Sequence, residues 1–210
     1  KLKKGVTFHN GKTLTADDVV GTVQYHTGKD SKSPGKALLE AVTAVKADGP
    51  DTVVFELSGA NADFPYLLSA YQFPILSVTD GKPDLTGLGA GPYILDGFEP
   101  GVKVHFKKNP NAFAPGNFDE VTQLSIIDPA ARTNAYLAGE VDFIDRADLK
   151  TIDMLKSAPD TEIYNVSGYQ YYNAPMLVDT APFDKLEVRQ ALKWAINRQE
   201  LVDKVLFGYG

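Results

Sequence analysis

The sequence predicts a mixed α/β protein built from α+β units, because helical and strand-like patterns alternate along it. Residues 187–197 carry the clearest helical pattern, with apolar side chains recurring every three or four positions. Residues 41–47 and 52–57 are strand-like and flank a turn of aspartate, glycine and proline, which predicts a hairpin. Of the 210 residues, 43% are hydrophobic and 23% charged, which is typical of a folded protein.

Residues 1–80 predict one α+β unit. Thr15 has the hydroxyl of a helix N-cap, and the acidic side chains of Asp17 and Asp18 suit the positive end of a helix dipole. The predicted elements are a strand at 6–8, a helix from residue 16 to about 26, the hairpin of 41–47 and 52–57, a short helix at 62–70 and a strand at 73–78.

Residues 79–91 contain four glycines and one proline, which predicts either a flexible connection or a close approach of the backbone to a neighbour. Farther on, Asp128 and Pro129 predict a helix start, Gly139 predicts its end, and flanking strands make 121–144 a βαβ unit. The other predicted elements are a hairpin of 92–98 and 102–108, helices at 149–157, 187–197 and 201–206, and strands at 162–166 and 169–174.

Composition excludes several classes of function. A net charge of −6 without a basic face argues against a nucleic-acid partner. The absence of cysteine removes disulfides, thiolate nucleophiles and cysteine-based metal sites. No segment of these 210 residues has the pattern of a signal peptide, and no apolar run approaches the ~18 residues of a membrane span. It opens on Lys1 in strand-like sequence and closes just after a predicted helix, so we expect both termini to lie within a longer chain.

Residue patterns typical of catalysis are weak. The three histidines lack metal-ligand spacing, and we interpret them as surface or turn residues without a metal. The best enzyme candidates are the acids Glu140, Asp142 and Asp145. On a strand, however, Asp142 and Asp145 point to opposite faces and cannot flank one bond. We therefore expect no catalytic residues and no cofactor.

A run of aromatic and amide side chains follows Gly168 and is the strongest binding pattern. Rigid rings supply contact area at low entropic cost, and amides orient a ligand, so this mix suits a pocket lining. Tyrosines also suit half-buried strands, and spacing alone leaves both interpretations open. The residues are Tyr169, Gln170, Tyr171, Tyr172 and Asn173.

Four stretches, in a fixed order, carry a resemblance to a known family. They are LKKGVTFHNGKTLTADDV at 2–19, GAGPY at 89–93 with Asn-Pro-Asn at 109–111, the helix–strand segment 130–142, and Pro-Phe at 182–183 with VRQALKWAINR at 188–198. Together they resemble the peptide- and nickel-binding class, family 5, of the extracytoplasmic solute-binding proteins of ABC transporters. The resemblance covers essentially the whole chain.

This resemblance implies a periplasmic-binding-protein-like fold of two lobes with an extra α+β domain, incomplete in this chain. By resemblance, residues 1–88 form the extra domain, 89–167 part of the first lobe, and 168–210 the start of the second lobe. The glycine-rich stretch at 79–91 is then the passage between domains.

The resemblance also implies a receptor that closes by a hinge on a peptide-like solute and delivers it to the membrane subunits of an ABC importer. We expect a monomer, periplasmic or otherwise extracytoplasmic, made with a signal peptide and able to associate with the membrane through the importer. The expected ligand-binding residues are Tyr169, Gln170, Tyr171, Tyr172 and Asn173, with Gly89, Ala90, Gly91 and Tyr93 at the base of the cleft.

Alternatives remain at this point. The solute of such a receptor is alternatively an oligosaccharide, chelated nickel or haem. Outside the transport class, the rivals are an extracytoplasmic hydrolase using Asp142 or Asp145 and a protein-interaction domain.

Overall fold

The computed structural model describes residues 1–166, 168 and 171–210. The chain forms two compact units, Lys1–Ser125 and Ile126–Gly210. The domain boundaries expected near residues 88 and 167 stay predictions.

The first unit begins with helix α1, Ala16–Thr27, where the sequence predicts it. Its start is fixed by Asp18, whose carboxylate accepts hydrogen bonds from the backbone N–H and the hydroxyl of Thr15, both at 2.9 Å. This contact satisfies polar groups at the helix start that have no partner within the helix. The predicted capping region is therefore confirmed.

The predicted hairpin is formed by strands β1, Val42–Ala47, and β2, Val53–Leu57, and helix α2, Phe64–Leu67, follows it. The two strands pair antiparallel with Val45 opposite Phe55. The core of this unit consists of buried apolar side chains to which α1, the turn before β1, α2 and the segment after α2 each contribute. They are Val23, Leu39, Phe64 and Phe73.

Two very short strands, β3 at Val78–Thr79 and β4 at Lys82–Pro83, pair antiparallel. The remaining sheet of the unit has three antiparallel strands in the order β5, Tyr93–Glu99, β6, Lys103–Lys108, and β7, Glu120–Leu124. The predicted hairpin of β5 and β6 is confirmed. The turn between them places Gly101 at a φ of 73°, a conformation that glycine adopts without strain.

The βαβ unit predicted over 121–144 is wrong. Strand β7 pairs antiparallel with β6, and residues 141–144 form no strand. Of the strands predicted at 6–8, 73–78 and 162–166, the first forms only a single bridge between Thr7 and Thr13, the second only the Val78 end that begins β3, and the third is absent. A strand extends only as far as a neighbour completes its hydrogen bonds, and in the described part of the chain these segments have such a neighbour over at most a few residues.

The second unit contains α3, Pro129–Leu137, α4, Ile152–Ser157, α5, Leu186–Ala195, and α6, Arg198–Lys204. Asp128 caps α3 by accepting from the Ala131 N–H at 2.7 Å, and Gly139 follows its end with a φ of 73°, as predicted. The region predicted as one helix at 149–157 begins with a 3₁₀ turn, Leu149–Thr151, before α4.

An apolar stripe such as that of α5 normally packs on a core, but the structure leaves it uncovered. Leu192 and Ile196 are each 44% exposed, and Trp194 is 81% exposed. Among the described residues of this unit, no element covers the stripe, so α5 is amphipathic without an apolar partner surface. In the described part of the chain, no helix combines the length and the apolarity that crossing a bilayer requires.

Candidate functional site

The glycine-rich segment 89–91 is held by His9, a residue that lies about eighty positions earlier in the chain. The His9 backbone N–H donates to the Gly89 carbonyl at 2.8 Å. The Gly89 N–H in turn donates to His9 Nδ1 at 3.2 Å, and His9 Nε2 lies 3.2 Å from the Gly91 carbonyl oxygen. Backbone and ring of one histidine thus bind both ends of the segment.

These partners fix the protonation of the His9 ring. A backbone N–H is only a donor, so Nδ1 must be the unprotonated acceptor. A carbonyl oxygen is only an acceptor, so Nε2 must carry the proton and donate it to Gly91. The contacts therefore select the neutral ring with its single proton on Nε2.

A tight turn presents His9 to the segment. The Phe8 N–H donates to the Lys12 carbonyl and the Gly11 N–H to the Phe8 carbonyl, both at 2.8 Å. Gly11 adopts a φ of 85°, which explains the Asn-Gly sequence of this turn.

Asn109 provides a second hold on the same segment. Its Nδ2 donates to the Gly91 carbonyl at 3.0 Å, and its backbone N–H donates to the Pro92 carbonyl at 2.8 Å. The residue is 3% exposed, and its Oδ1 accepts from the Asn111 N–H at 3.0 Å. The segments around His9, Gly89 and Asn109, which belong to the first two of the four stretches, therefore meet at one place.

Tyr93 lies next to this segment but packs on the loop before β7. Its hydroxyl oxygen accepts from the Phe118 N–H at 3.0 Å. A Cβ added to Gly116 would lie 2.5 Å from Tyr93 Cζ, so the ring rests directly on that glycine. Ala90, like Gly89 and Gly91, is half-buried.

A second motif contact anchors the start of α1. The Asp18 side chain is fully buried and accepts from Lys12 Nζ at 2.5 Å and from the Val78 N–H at 2.7 Å, besides Thr15. Burial by itself would raise the pKa of the Asp18 carboxyl, but the hydrogen bonds from Lys12, Val78 and Thr15 outweigh it and lower that pKa. The carboxylate stays ionised and ties α1 to β3.

In the second unit, the described members of the aromatic run are exposed. Tyr171 is 80% and Tyr172 is 92% exposed, and Asn173 is exposed as well. The described residues 171–174 form no strand. Tyr169 and Gln170, which the sequence also places in the binding site, lie outside the described residues.

The acids considered as catalytic candidates lie at the surface of the second unit. Glu140, Asp142 and Asp145 are all exposed, and Asp145 has Arg146 4.0 Å away. Within the described ranges, no cluster of three or more histidine or acidic side chains is arranged to hold a metal ion. These carboxylates have the surroundings of ordinary solvated surface residues.

Two arginines of the second unit each bind the backbone that precedes their own helix. Arg132 Nη1 donates to the carbonyls of Ile126 and Ile127, both at 2.9 Å. Arg189 Nη1 donates in the same way to the carbonyls of Phe183 and Asp184, at 2.6 and 3.1 Å. Both guanidinium groups therefore stabilise the backbone segment that leads into their own helix.

Sequence reasoning missed His9 and Asn109. Both lie in stretches that carry the family resemblance, but His9 was interpreted as a surface or turn residue. The available signal was their immediate neighbours, an Asn-Gly turn after His9 and the Pro-Asn pair after Asn109. Nothing in the spacing shows that a residue at 9 meets residues at 89–91.

Residues 1–210, the whole chain, match the model of the family described as bacterial extracellular solute-binding proteins, family 5 Middle. The chain belongs to this family. Family 5 proteins of this kind are solute-binding receptors, not enzymes, and the family is extracellular. The resemblance inferred from the four sequence stretches is confirmed.

Curated relatives of this family 5 chain include peptide-binding proteins. It is 27% identical to di/tripeptide-binding protein 1 of Pseudomonas aeruginosa, covering 100% of this chain and 44% of the relative. It is 30% identical to the oligopeptide-binding protein AppA of Bacillus subtilis, covering 100% of this chain and 41% of AppA. The chain thus spans less than half the length of these relatives.

The fold agrees with these relationships. The structure of AppA from Bacillus subtilis in complex with a nonapeptide matches at a TM-score of 0.79 with 27% identity, over 99% of this family 5 chain and 44% of that structure. The predicted mixed α/β class and its likeness to periplasmic binding proteins are therefore confirmed.

Proposed function

We propose that the protein carrying this chain is the receptor of an ABC importer, which binds a peptide-like solute outside the cytoplasm and delivers it unchanged to the membrane subunits. The whole-length family match carries the proposal. The receptor acts as a monomer, and two lobes close on the solute by a hinge motion.

The choice of a peptide is supported by the relatives' names and by the chemistry of the proposed lining. An extended peptide offers backbone donors and acceptors at regular spacing and side chains of many shapes. Exposed tyrosine rings and an amide, as at Tyr171, Tyr172 and Asn173, accommodate variable side chains while binding the backbone. We propose these three, with Tyr169 and Gln170, as the main lining of the site.

In the first unit, we propose Gly89, Ala90, Gly91 and Tyr93 as further residues that contact the solute. The support here is the double hold on Gly91 by His9 and Asn109, which gives this backbone a defined position. A preorganised backbone costs less entropy when a ligand binds to it.

A thermal-shift screen of the whole protein tests the proposal. The solutes are dialanine, trialanine, a nonapeptide, an oligosaccharide, haem and nickel chelated by histidine. A bound solute at 100 times its dissociation constant adds about 2.7 kcal/mol to the free energy of unfolding. Stabilisation by a peptide, recovered uncleaved, supports the proposal.

The other outcomes contradict it in different ways. Stabilisation only by haem, nickel or sugar changes the solute class. A peptide returned cleaved favours a hydrolase using Asp142 or Asp145, and the double substitution to asparagine would then abolish cleavage. If every solute leaves the melting temperature unchanged, a protein-interaction domain becomes the better hypothesis.

A further inference from the structure

We infer that His9 is a positioning residue of the proposed solute site and that its ring binds both ends of residues 89–91 only while the ring is neutral. A second proton on the ring removes the hydrogen bond that the Gly89 N–H donates to it. This inference deepens the proposed function, because it gives the site a dependence on pH through a residue that need not touch the solute.

The two hydrogen bonds of the His9 ring depend on which nitrogen carries the proton as well as on distance. The Gly89 N–H points its proton at Nδ1, and the Nε2 proton points at the Gly91 carbonyl. When the ring gains a second proton, Nδ1 becomes a donor that faces the N–H of Gly89. Two donors facing each other repel, so that contact is lost while the contact to Gly91 survives.

The ring also packs closely against the segment. A Cβ added to Gly89 would lie 3.3 Å from His9 Cε1, tighter than most such contacts. The small residue at 89 therefore lets the imidazole approach the backbone. Loss of the contact to Nδ1 on protonation therefore removes a hydrogen bond from a closely packed part of the segment.

The groups that contact the His9 ring are polar but uncharged. The contacts to the ring come from the backbone of Gly89 and Gly91, and across the Gly91 carbonyl lies the neutral amide of Asn109. The charged residue of the same turn, Lys12, directs its Nζ to Asp18 and Val78. In the described part of the chain, no ion pair includes His9. These two ring contacts, the clamp, are therefore both present while the ring is neutral, and the contact to Gly89 is lost when the ring gains a second proton.

Two substitutions separate the two contacts. In His9→Asn, the side-chain oxygen occupies the position of Nδ1 and keeps an acceptor for Gly89. In His9→Gln, the side-chain amide occupies the position of Nε2 and keeps a donor for Gly91. Neither residue titrates. His105→Gln is the matched control, because His105 faces Asp96 and Glu120 on the sheet and not the 89–91 segment.

The first readout needs no solute. In the whole protein, ¹⁵N-histidine NMR at neutral pH is expected to show His9 protonated at Nε2 alone. Exchange of the Gly89 amide hydrogen is expected to be about tenfold faster in His9→Gln, the size of effect that loss of one hydrogen bond gives, and nearly unchanged in His9→Asn and His105→Gln. A His9 protonated at Nδ1, or equal exchange in all variants, overturns the clamp.

The second readout is affinity for trialanine and for a nonapeptide between pH 5 and pH 8. The wild-type protein and His105→Gln are expected to lose affinity together as the pH falls. His9→Gln is expected to be weaker at neutral pH, and His9→Asn to resist acidification better than wild type. A variant with faster Gly89 exchange but wild-type affinity at every pH overturns the positioning role. If neither peptide binds the wild-type protein, the proposed solute class fails, and the exchange data still judge the clamp.

Discussion

Asp18 shows at the scale of one residue how a buried charge is made tolerable. Its side chain is fully buried, yet Lys12, Val78 and Thr15 supply donors to both of its oxygens. An isolated buried carboxylate would gain a proton instead of staying ionised. Here the donors lower its pKa below the ordinary value of 3.8 despite the burial. The residue therefore links α1 to β3 through a charge-assisted network.

Asp18→Asn is expected to lower the free energy of unfolding at pH 7 by about 2–3 kcal/mol, because the amide leaves Lys12 without its counter-charge and turns one acceptor into a donor. The wild-type contribution is complete above the ordinary carboxyl pKa and is lost as the pH falls through the lowered folded value. Urea unfolding at pH 7 and at successively lower pH measures both effects. Asp17→Asn, at an exposed position in the first turn of the same helix, should cost less, because it loses only an interaction with the helix dipole of about 0.3–1 kcal/mol; equal losses in the two variants would contradict this account.

Tyr172 tests the proposed lining at the same scale. Because its side chain is 92% exposed, Tyr172→Ala should leave the melting temperature unchanged and weaken binding of a nonapeptide by about tenfold or more, as loss of an aromatic anchor does. Titration calorimetry of the whole protein measures the affinity. Tyr71→Ala removes another exposed tyrosine, 91% exposed, as the control. Equal affinity in both variants would remove Tyr172 from the site.

At the scale of elements, sequence patterns predicted correctly the helices and hairpins whose backbone hydrogen bonds join residues close together in the chain. Helix α1 and the pairs β1–β2 and β5–β6 lie where the sequence predicts them. The strands predicted at 141–144 and 162–166 fail because a strand needs a partner that no local pattern specifies. Apolar, β-branched sequence indicates a preference for extended backbone and not the presence of a neighbour.

The loop between β6 and β7 depends on one close contact, that of Tyr93 with Gly116. Gly116→Ala is expected to cost about 1–3 kcal/mol of unfolding free energy, because the new methyl group displaces the ring and breaks the bond from the Phe118 N–H. Chemical denaturation measures the loss. Gly59→Ala, where an added Cβ meets nothing within 4 Å, is the control. A neutral Gly116→Ala would show that the loop adjusts freely.

At the scale of the whole molecule, the two units differ in how well they bury their apolar residues. The first unit has a buried core around Phe64 and Phe73, whereas the second exposes large side chains such as Ile127 and Trp194, at 88% and 81%. Exposed apolar surface of this extent is typical of surfaces that contact other protein segments or ligands. Helix α5 contributes a continuous part of it.

Hinge closure gives a prediction for the whole protein. A stabilising peptide is expected to reduce the radius of gyration measured by small-angle X-ray scattering, because the proposed receptor closes its lobes on the solute. A peptide that does not stabilise the protein in the thermal screen is the control and should leave the radius unchanged. Tight binding without any decrease would contradict the closure mechanism while leaving the receptor function intact.

The sequence alone determined the fold class, the capped helices, the hairpins and the family, because caps, turns and periodic patterns involve residues within a few positions of one another. Asp128 with Pro129 and Gly139 marked both ends of α3 in this way. The sequence also predicts that Gly89, Ala90, Gly91, Tyr93 and residues 169–173 bind the solute. That contact stays a prediction.

Only the tertiary structure decided which distant segments meet. It placed His9 and Asn109 on the Gly91 carbonyl, turned Tyr93 onto Gly116, and put β7 beside β6 instead of in a βαβ unit. The physical reason is that a hydrogen bond between residues eighty positions apart depends on the path of the whole chain. A motif names the donor or the acceptor, and the fold supplies its partner.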